Sequence, residues 1–274
     1  MRFLCSEWLR TKRTAIRFLT FCMPVLFSLC AAAYLISHPG STQVFAFEGF
    51  FTIWTVFFIP IGAGVFAGFL VHEEELAGSF NGFLGTGISR IKLYMGKFSL
   101  LLFCLTACTF TAVLTLCVCV KPVMPEVVSF RLFLPAAALM VMGTLPLLAL
   151  HLWISFAWGM GASIGISMGG LLMAAILGLT GMGSRIWPLI PWTWPVKLGM
   201  LPGALISEES AAIRSTEIFS GIMHTAAVGF STAAAGPASL PGRRNDVVSF
   251  MGRKEKLRVT KKRKENYLEQ NTDH

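Results

Sequence analysis

Two stretches of this chain contain residues whose types and spacing could carry out hydrolytic chemistry. The first, His72-Glu73-Glu74-Glu75-Leu76, misses the zinc-binding pattern HExxH, because Leu76 stands where the second histidine is needed. Two histidines four residues apart are required to hold the metal from one face of a helix. The paired glutamates also lack the following arginine of the EExxxR pattern of intramembrane CAAX-type proteases. The sequence therefore argues against a metalloprotease.

The second stretch has two overlapping GxSxG patterns around Ser163 and Ser167, with His151 as the nearest histidine that could act as a base. A serine protease would need one of these serines at an exposed turn beside that base. The residues also have a simpler interpretation, since glycines at four-residue spacing give a helix a smooth face on which a neighbouring helix can pack. These glycines are Gly161, Gly165 and Gly169. We favour helix packing and keep an intramembrane serine protease as the alternative.

The chain has no recognisable motif for binding a nucleotide or a structural metal. The pattern GxxxxGK[ST] is absent, so we expect no ATP to bind through a P-loop. The seven cysteines include no CxxC pair, and most of them lie in apolar runs, where cysteine behaves as a small hydrophobic residue. We therefore predict a protein that is not an enzyme and has no cofactor or metal site of its own.

The composition indicates the medium in which the chain folds. Of its 274 residues, 54% are hydrophobic and only 14% are charged, whereas soluble domains have about 25% charged residues. Several windows long enough to cross about 30 Å of hydrocarbon contain no charged residue. The formal net charge of +9 comes from clusters at 2–17, 90–97 and 243–264, where a positive-inside bias would place lysine and arginine. We therefore predict an integral membrane protein that does not bind nucleic acid.

The hydrophobic runs predict an all-α polytopic membrane protein with a bundle of six spans. We expect these spans at about 17–36, 50–71, 98–120, 132–156, 162–181 and 218–235. The sixth run is short and rich in alanine, but a cytoplasmic N-terminus and a basic cytoplasmic tail require an even number of crossings. Residues 1–16 are predicted to lie in the cytoplasmic interface, and 236–274 to form the tail. The loop at 37–49 is assigned to the outer side, together with an aromatic belt at 187–195.

The second predicted span contains Gly64 and Gly68, which have the small-xxx-small spacing of membrane helices that approach each other closely. Since neither glycine has a side chain to separate two backbones, we expect another helix of the bundle to pack against this face.

The segment 71–97, between the second and third spans, is suited to binding a soluble partner. It opens with the acidic residues Glu73, Glu74 and Glu75. Apolar residues then recur at i, i+4, i+7 and i+8, which places them on one face of a short helix. These residues are Leu76, Phe80, Phe83 and Leu84. An amphipathic helix between two spans is available to a partner, and we predict that a soluble ATPase docks here.

Three separate stretches resemble, in the same order, the permease subunits of lantibiotic-immunity ABC transporters, and within that group the MutG-type subunit. They are HEEELAGSFNGFLGTGISRIKLYMGK at 72–97, GTLPLLALHLWISFAWGMGASIGI at 143–166 and IWPLIPWTWPVKL at 186–198. The resemblance implies a six-span permease of the ABC-2 type, a second permease subunit and a separate ATPase that binds ATP. It also implies that the complex takes a lantibiotic or other bacteriocin peptide from membrane lipid and expels it, which protects the bacterial cell that produces it.

On that model the ATPase contacts a cytoplasmic coupling helix after span two. The contact residues would be Glu73, Glu74, Glu75, Phe80 and Phe83. The resemblance fades from about residue 203 and returns around Met251, a pattern that a pair of compensating frameshifts would produce and that resequencing of the gene would test. The alternative within transport is an ABC-2 permease for another peptide or for a lipid.

Overall fold

Apolar runs build seven α-helices in the part of the chain that the computed structural model describes, namely residues 15–76, 90–183 and 186–204. They are α1 (Ala15–Ile36), α2 (Gln43–Ile53), α3 (Ile59–Leu76), α4 (Arg90–Val120), α5 (Phe130–Trp158), α6 (Met160–Met173) and α7 (Trp194–Ala204). A π-helical turn, Trp54–Phe58, joins α2 to α3, and a second one, Ala174–Gly178, follows α6. Short 3-10 turns at Gly181–Gly183, Trp187–Leu189 and Pro191–Thr193 lead into α7. No strand occurs within these ranges.

Five of these helical stretches are long and apolar enough to cross a membrane. They are Ile16–Ile36, Gln43–Glu73, Tyr94–Val120, Phe130–Trp158 and Met160–Gly178. Helices suit this medium because they satisfy every backbone donor and acceptor without water. The all-α prediction is thus confirmed for the described residues, and each of the five stretches overlaps one of the first five predicted spans. The sixth predicted span, 218–235, lies outside the described residues, as do residues 1–14 of the predicted interfacial segment 1–16 and the tail 236–274.

The predicted outer loop at 37–49 is too long, because helix α2 already begins at Gln43. The Thr42 side chain accepts a hydrogen bond of 3.2 Å from the backbone N–H of Phe45, which caps the first turn. Phe47 and Phe51 of the same helix are fully buried, and both rings lie within 6 Å of the Phe133 ring of α5. Aromatic burial therefore extends the span beyond its most apolar window.

Helix packing determines which elements lie at each end of the bundle. Helix α1 packs on α4, α3 packs on α5 and α6, and α5 also packs on α4 and α7. The turns at 37–42 and 121–129 lie at one end, which also holds α7. The end of α3, the beginning of α4 and the turn between α5 and α6 lie at the opposite end. We call this second end the Leu76–Arg90 end, because those residues flank the undescribed segment 77–89.

The tryptophan-rich segment does not form the exposed aromatic belt that the sequence predicts, because two of its tryptophans are buried. Trp187 and Trp194 are 8% and 2% exposed. The Trp194 indole N–H donates to the carbonyl oxygens of Trp187 and Pro188, both at 3.1 Å. Gly143 of α5 allows α7 to approach, since a Cβ there would lie 3.0 Å from the Trp194 carbonyl oxygen. The segment thus folds back against α5.

Gly159 alone separates α5 from α6, and its backbone conformation is one that only glycine adopts readily. Its φ is +86° and its ψ is 179°, a region closed to residues with a Cβ. The Gly159 N–H donates to the Ser155 carbonyl oxygen at 2.9 Å, which closes the last turn of α5. The reversal of the chain between these two spans therefore depends on this residue.

We expect Gly159→Ala to destabilise the bundle by about 1–3 kcal/mol, the usual strain of such a backbone conformation. The measurement is the thermal midpoint of the detergent-purified chain by size-exclusion analysis after heating. Gly161→Ala is the matched control, because Gly161 is helical and an added Cβ would meet no atom of the described residues within 4 Å. Equal midpoints for the two variants would contradict the backbone argument.

Candidate functional site

The predicted docking residues lie at the Leu76–Arg90 end or just beyond the described chain. Glu73, Glu74 and Glu75 belong to the last turn of α3, and the Glu73 side chain is exposed. Phe80 and Phe83 lie outside the described residues. The structure thus places the acidic cluster on the last turn of α3, directly before segment 77–89. The apolar stripe that includes Phe80 and Phe83 stays a prediction.

Two buried hydrogen bonds hold the beginning of α4 against its neighbours at this end. Lys97 is 1% exposed, and its Nζ donates to the carbonyl oxygen of Leu70 in α3 at 3.0 Å. One turn earlier, the Tyr94 hydroxyl donates to the carbonyl oxygen of Ala149 in α5, also at 3.0 Å. A buried hydrogen bond stabilises by about 1 kcal/mol, and a donor left without a partner costs about 1–3 kcal/mol. The two helices that enter and leave segment 77–89 are therefore tied together.

Gly64 and Gly68 of α3 face the first half of α6. A Cβ on Gly64 would lie 2.6 Å from the Ser167 Cβ and 2.8 Å from the Ser163 carbonyl oxygen. A Cβ on Gly68 would lie 2.8 Å from the Met160 Cγ, the middle of a flexible side chain. The absence of a side chain at Gly64 is thus what allows the α3 and α6 backbones to approach.

The three glycines at four-residue spacing in α6 lie on another face of that helix. A Cβ added to Gly161, Gly165 or Gly169 would meet no atom of the described residues within 4 Å. The face of α6 that packs within the chain instead presents Ser163, Ser167 and Gly170, all of which are buried. Packing through the glycine face therefore stays a prediction.

His151 and Ser163, the residues of the protease alternative, do come together. The His151 Nδ1 lies 3.2 Å from the Ser163 Oγ, which also lies 3.1 Å from the carbonyl oxygen of Gly64. Both side chains are completely buried, on α5 and α6 against α3. A nucleophilic serine must meet a substrate at an exposed turn, whereas this hydroxyl is enclosed by three helices. The pair is better explained as a polar contact that joins α3, α5 and α6.

Metal binding has no candidate within the described ranges, where no group of three or more histidine, cysteine, aspartate or glutamate side chains converges. His72 and Glu73, from the near match to HExxH, are on the last turns of α3. The polar groups that converge in the described bundle include hydroxyls, indole N–H groups, one imidazole and one lysine amine, which suit hydrogen bonding between helices.

Comparison with known families identifies the class of this protein. The model of the family described as ABC-2 family transporter protein matches residues 3–174, which is well over half of the chain. The chain therefore belongs to this family. It is a membrane subunit of an ABC transporter, a multi-pass protein of the cell membrane that works with an ABC ATPase subunit. Searches for similar curated proteins and for similar solved structures gave no match.

Sequence reasoning missed Lys97 and Tyr94 as structural residues. In the sequence, Lys97 is one of several basic residues before an apolar run, a position typical of a flank in contact with lipid headgroups. Its distinguishing signal is its distance of seven residues from Arg90, since two turns of helix carry it into the bundle. Nothing in the local pattern indicates that a carbonyl of α3 would be its partner.

The two glycine faces should respond differently to substitution. We expect Gly64→Ala to lower stability by about 1–3 kcal/mol through overpacking against Ser163 and Ser167, and Gly165→Ala to leave it unchanged. The thermal midpoint of each purified variant is the measurement. Gly165→Leu should keep the wild-type midpoint and lose a second permease subunit during purification. Wild-type stability of Gly64→Ala would contradict close packing of α3 on α6.

Proposed function

We propose that this chain is the permease subunit of an ABC exporter that expels a lantibiotic or related bacteriocin peptide and so protects the cell that makes it. The observation that carries the proposal is the resemblance of three stretches, 72–97, 143–166 and 186–198, to permeases with this role. Energy for export would come from ATP hydrolysed by the separate ATPase subunit, since the chain has no P-loop pattern.

The spatial arrangement of these three stretches supports the proposal, because they are distant in sequence and contact one another. The Tyr94 hydroxyl of the first donates to Ala149 of the second. The Trp192 ring of the third meets the His151 ring of the second edge to face, with centroids 6.0 Å apart. A resemblance carried by stretches that pack against one another is more specific than a general likeness of apolar spans.

For ATPase docking, we propose that segment 73–97 faces the cytoplasm together with the N-terminus and the basic tail. The acidic cluster and the apolar side chains of Phe80 and Phe83 would form the contact. Movement of the docked ATPase would reach α3 and α4 together, because Lys97 joins them. Packed helices then move as rigid bodies, which is a common way for a transporter cavity to change its exposure.

The glycine face of α6 is our candidate for contact with the second permease subunit. Gly161, Gly165 and Gly169 lie along one face of a stretch that can span the membrane, and no described residue covers that face. In lipid, close backbone approach through small residues is a principal source of helix association. A cationic amphipathic peptide could enter the assembled transporter sideways from the lipid, where such peptides accumulate.

The proposal is tested in cells that express the permease, its partner permease and its ATPase. We expect the complete transporter to raise the inhibitory concentration of its cognate lantibiotic, and Phe80→Ala to abolish most of that protection. Loss of a buried aromatic anchor from an interface costs about 2 kcal/mol or more. Phe18→Ala is the matched control, because Phe18 of α1 is 60% exposed.

Pull-down of the ATPase with each variant separates docking from substrate choice. Reduced recovery with Phe80→Ala, at normal permease abundance, supports the docking site, and normal recovery with normal protection would place it elsewhere. A third outcome is that the ATPase binds normally, the cells gain no protection against any lantibiotic, and another peptide or a lipid is exported. In that case the alternative, an ABC-2 permease for another peptide or a lipid, is correct.

A further inference from the structure

The buried polar atoms that lack a hydrogen-bond partner among the described residues are concentrated around one histidine. They are His151 Nε2, Ser155 Oγ and Trp192 Nε1. His151 and Ser155 are completely buried and lie one turn apart on the same face of α5. The third group belongs to a ring in contact with the imidazole, since the His151 and Trp192 rings meet edge to face with centroids 6.0 Å apart. We call these three residues the His151 cluster.

The contacts of Ser163 favour one of the two neutral tautomers of His151. Its hydroxyl has one proton, and the 3.1 Å separation from the Gly64 carbonyl oxygen is a hydrogen bond only if that proton lies between the two oxygens. With that proton on the Gly64 side, the Ser163 Oγ accepts at its 3.2 Å contact with His151, and we therefore assign the hydrogen of the imidazole to Nδ1. The opposite nitrogen, Nε2, is consequently an acceptor that points to no donor of the described chain.

The three groups of the His151 cluster complement one small ligand. Nε2 is an acceptor, the Trp192 indole N–H is a donor, and the Ser155 hydroxyl can be either. Internal waters in proteins make about three hydrogen bonds to buried polar groups of this kind. An ion is a poorer match, because the cluster offers no carboxylate and combines a donor with an acceptor.

We propose that the His151 cluster binds one internal water molecule between α5 and the segment before α7. The water donates a hydrogen bond to His151 Nε2 and accepts one from Trp192 Nε1, while Ser155 provides the third contact. The site supplies the hydrogen bonds that the imidazole lacks within the bundle, so His151 can join α3, α5 and α6 in a medium without bulk water.

Solid-state NMR of the full chain in lipid bilayers tests this site through the ring nitrogens of histidine. Among the five histidines, only His151 follows a leucine. Labelling leucine carbonyls with ¹³C selects its backbone amide, and uniform ¹³C and ¹⁵N labelling of histidine connects that amide to the ring nitrogens without a mutation. We expect a neutral ring with the hydrogen on Nδ1, and a cross peak between Nε2 and water protons. His38 is the internal control, because its side chain is exposed.

Two variants test the roles of the Ser163 and Ser155 hydroxyls separately. In Ser163→Ala the constraint on the tautomer is removed, and we expect the population with the hydrogen on Nδ1 to fall. In Ser155→Ala the water cross peak should persist, because Nε2 and Trp192 still hold the ligand. A protonated Nε2, a missing water cross peak in the wild type, or a hydrogen bond to Nε2 that disappears with the Ser155 hydroxyl would each overturn the proposal.

Discussion

The hydrogen bond from Lys97 to Leu70 is the constraint on which the Leu76–Arg90 end of this protein depends. A lysine amine that is 1% exposed requires a partner, and the Leu70 carbonyl oxygen of α3 lies 3.0 Å from it. The donor and the acceptor are on opposite sides of segment 77–89. The bond therefore sets the spacing of the two helix ends from which that segment emerges, whatever conformation the segment takes.

Helix α3 connects this end to the rest of the bundle. Near its last turns it is joined to α4 by Lys97, and two turns earlier Gly64 lets it lie against α6 with no intervening side chain. The same region of contact includes the buried hydrogen bonds of Ser163 to Gly64 and His151. A displacement of α3 along its axis would disturb all of these contacts, so small adjustments at its end must be accommodated by α4, α5 and α6 together.

Hydropathy was sufficient to predict an all-α membrane protein, because an apolar stretch of span length without a charged residue is typical of a helix that crosses a bilayer. It was insufficient where burial comes from contact with distant residues. Helix α2 begins at Gln43 because its phenylalanines meet Phe133 of α5, and Trp194 is buried because Gly143 admits it. Both partners, Phe133 and Gly143, are distant in the sequence, so no local pattern indicates these contacts.

The candidate site shows the same limit. Spacing drew attention to Gly161, Gly165 and Gly169, yet the residues of α6 that pack within the chain are the serines between them. A four-residue period identifies a face but not the neighbour that covers it. The local sequence pattern does not indicate the buried role of Lys97. Basic residues at the end of a span are common, and only a tertiary contact distinguishes a buried one.

The central claim is that Lys97 holds the ends of α3 and α4 together, and a distance measurement across those ends tests it most directly. Spin labels are placed at Glu73→Cys and Met95→Cys, both exposed positions, in a Cys-depleted chain in lipid nanodiscs. Pulsed electron–electron double resonance then reports the distance between the two labels. The account predicts one narrow distribution that broadens in Lys97→Met and is unchanged in Lys121→Met, the same substitution at an exposed site. A distribution that is already broad in the parent, or that Lys97→Met leaves narrow, would contradict it.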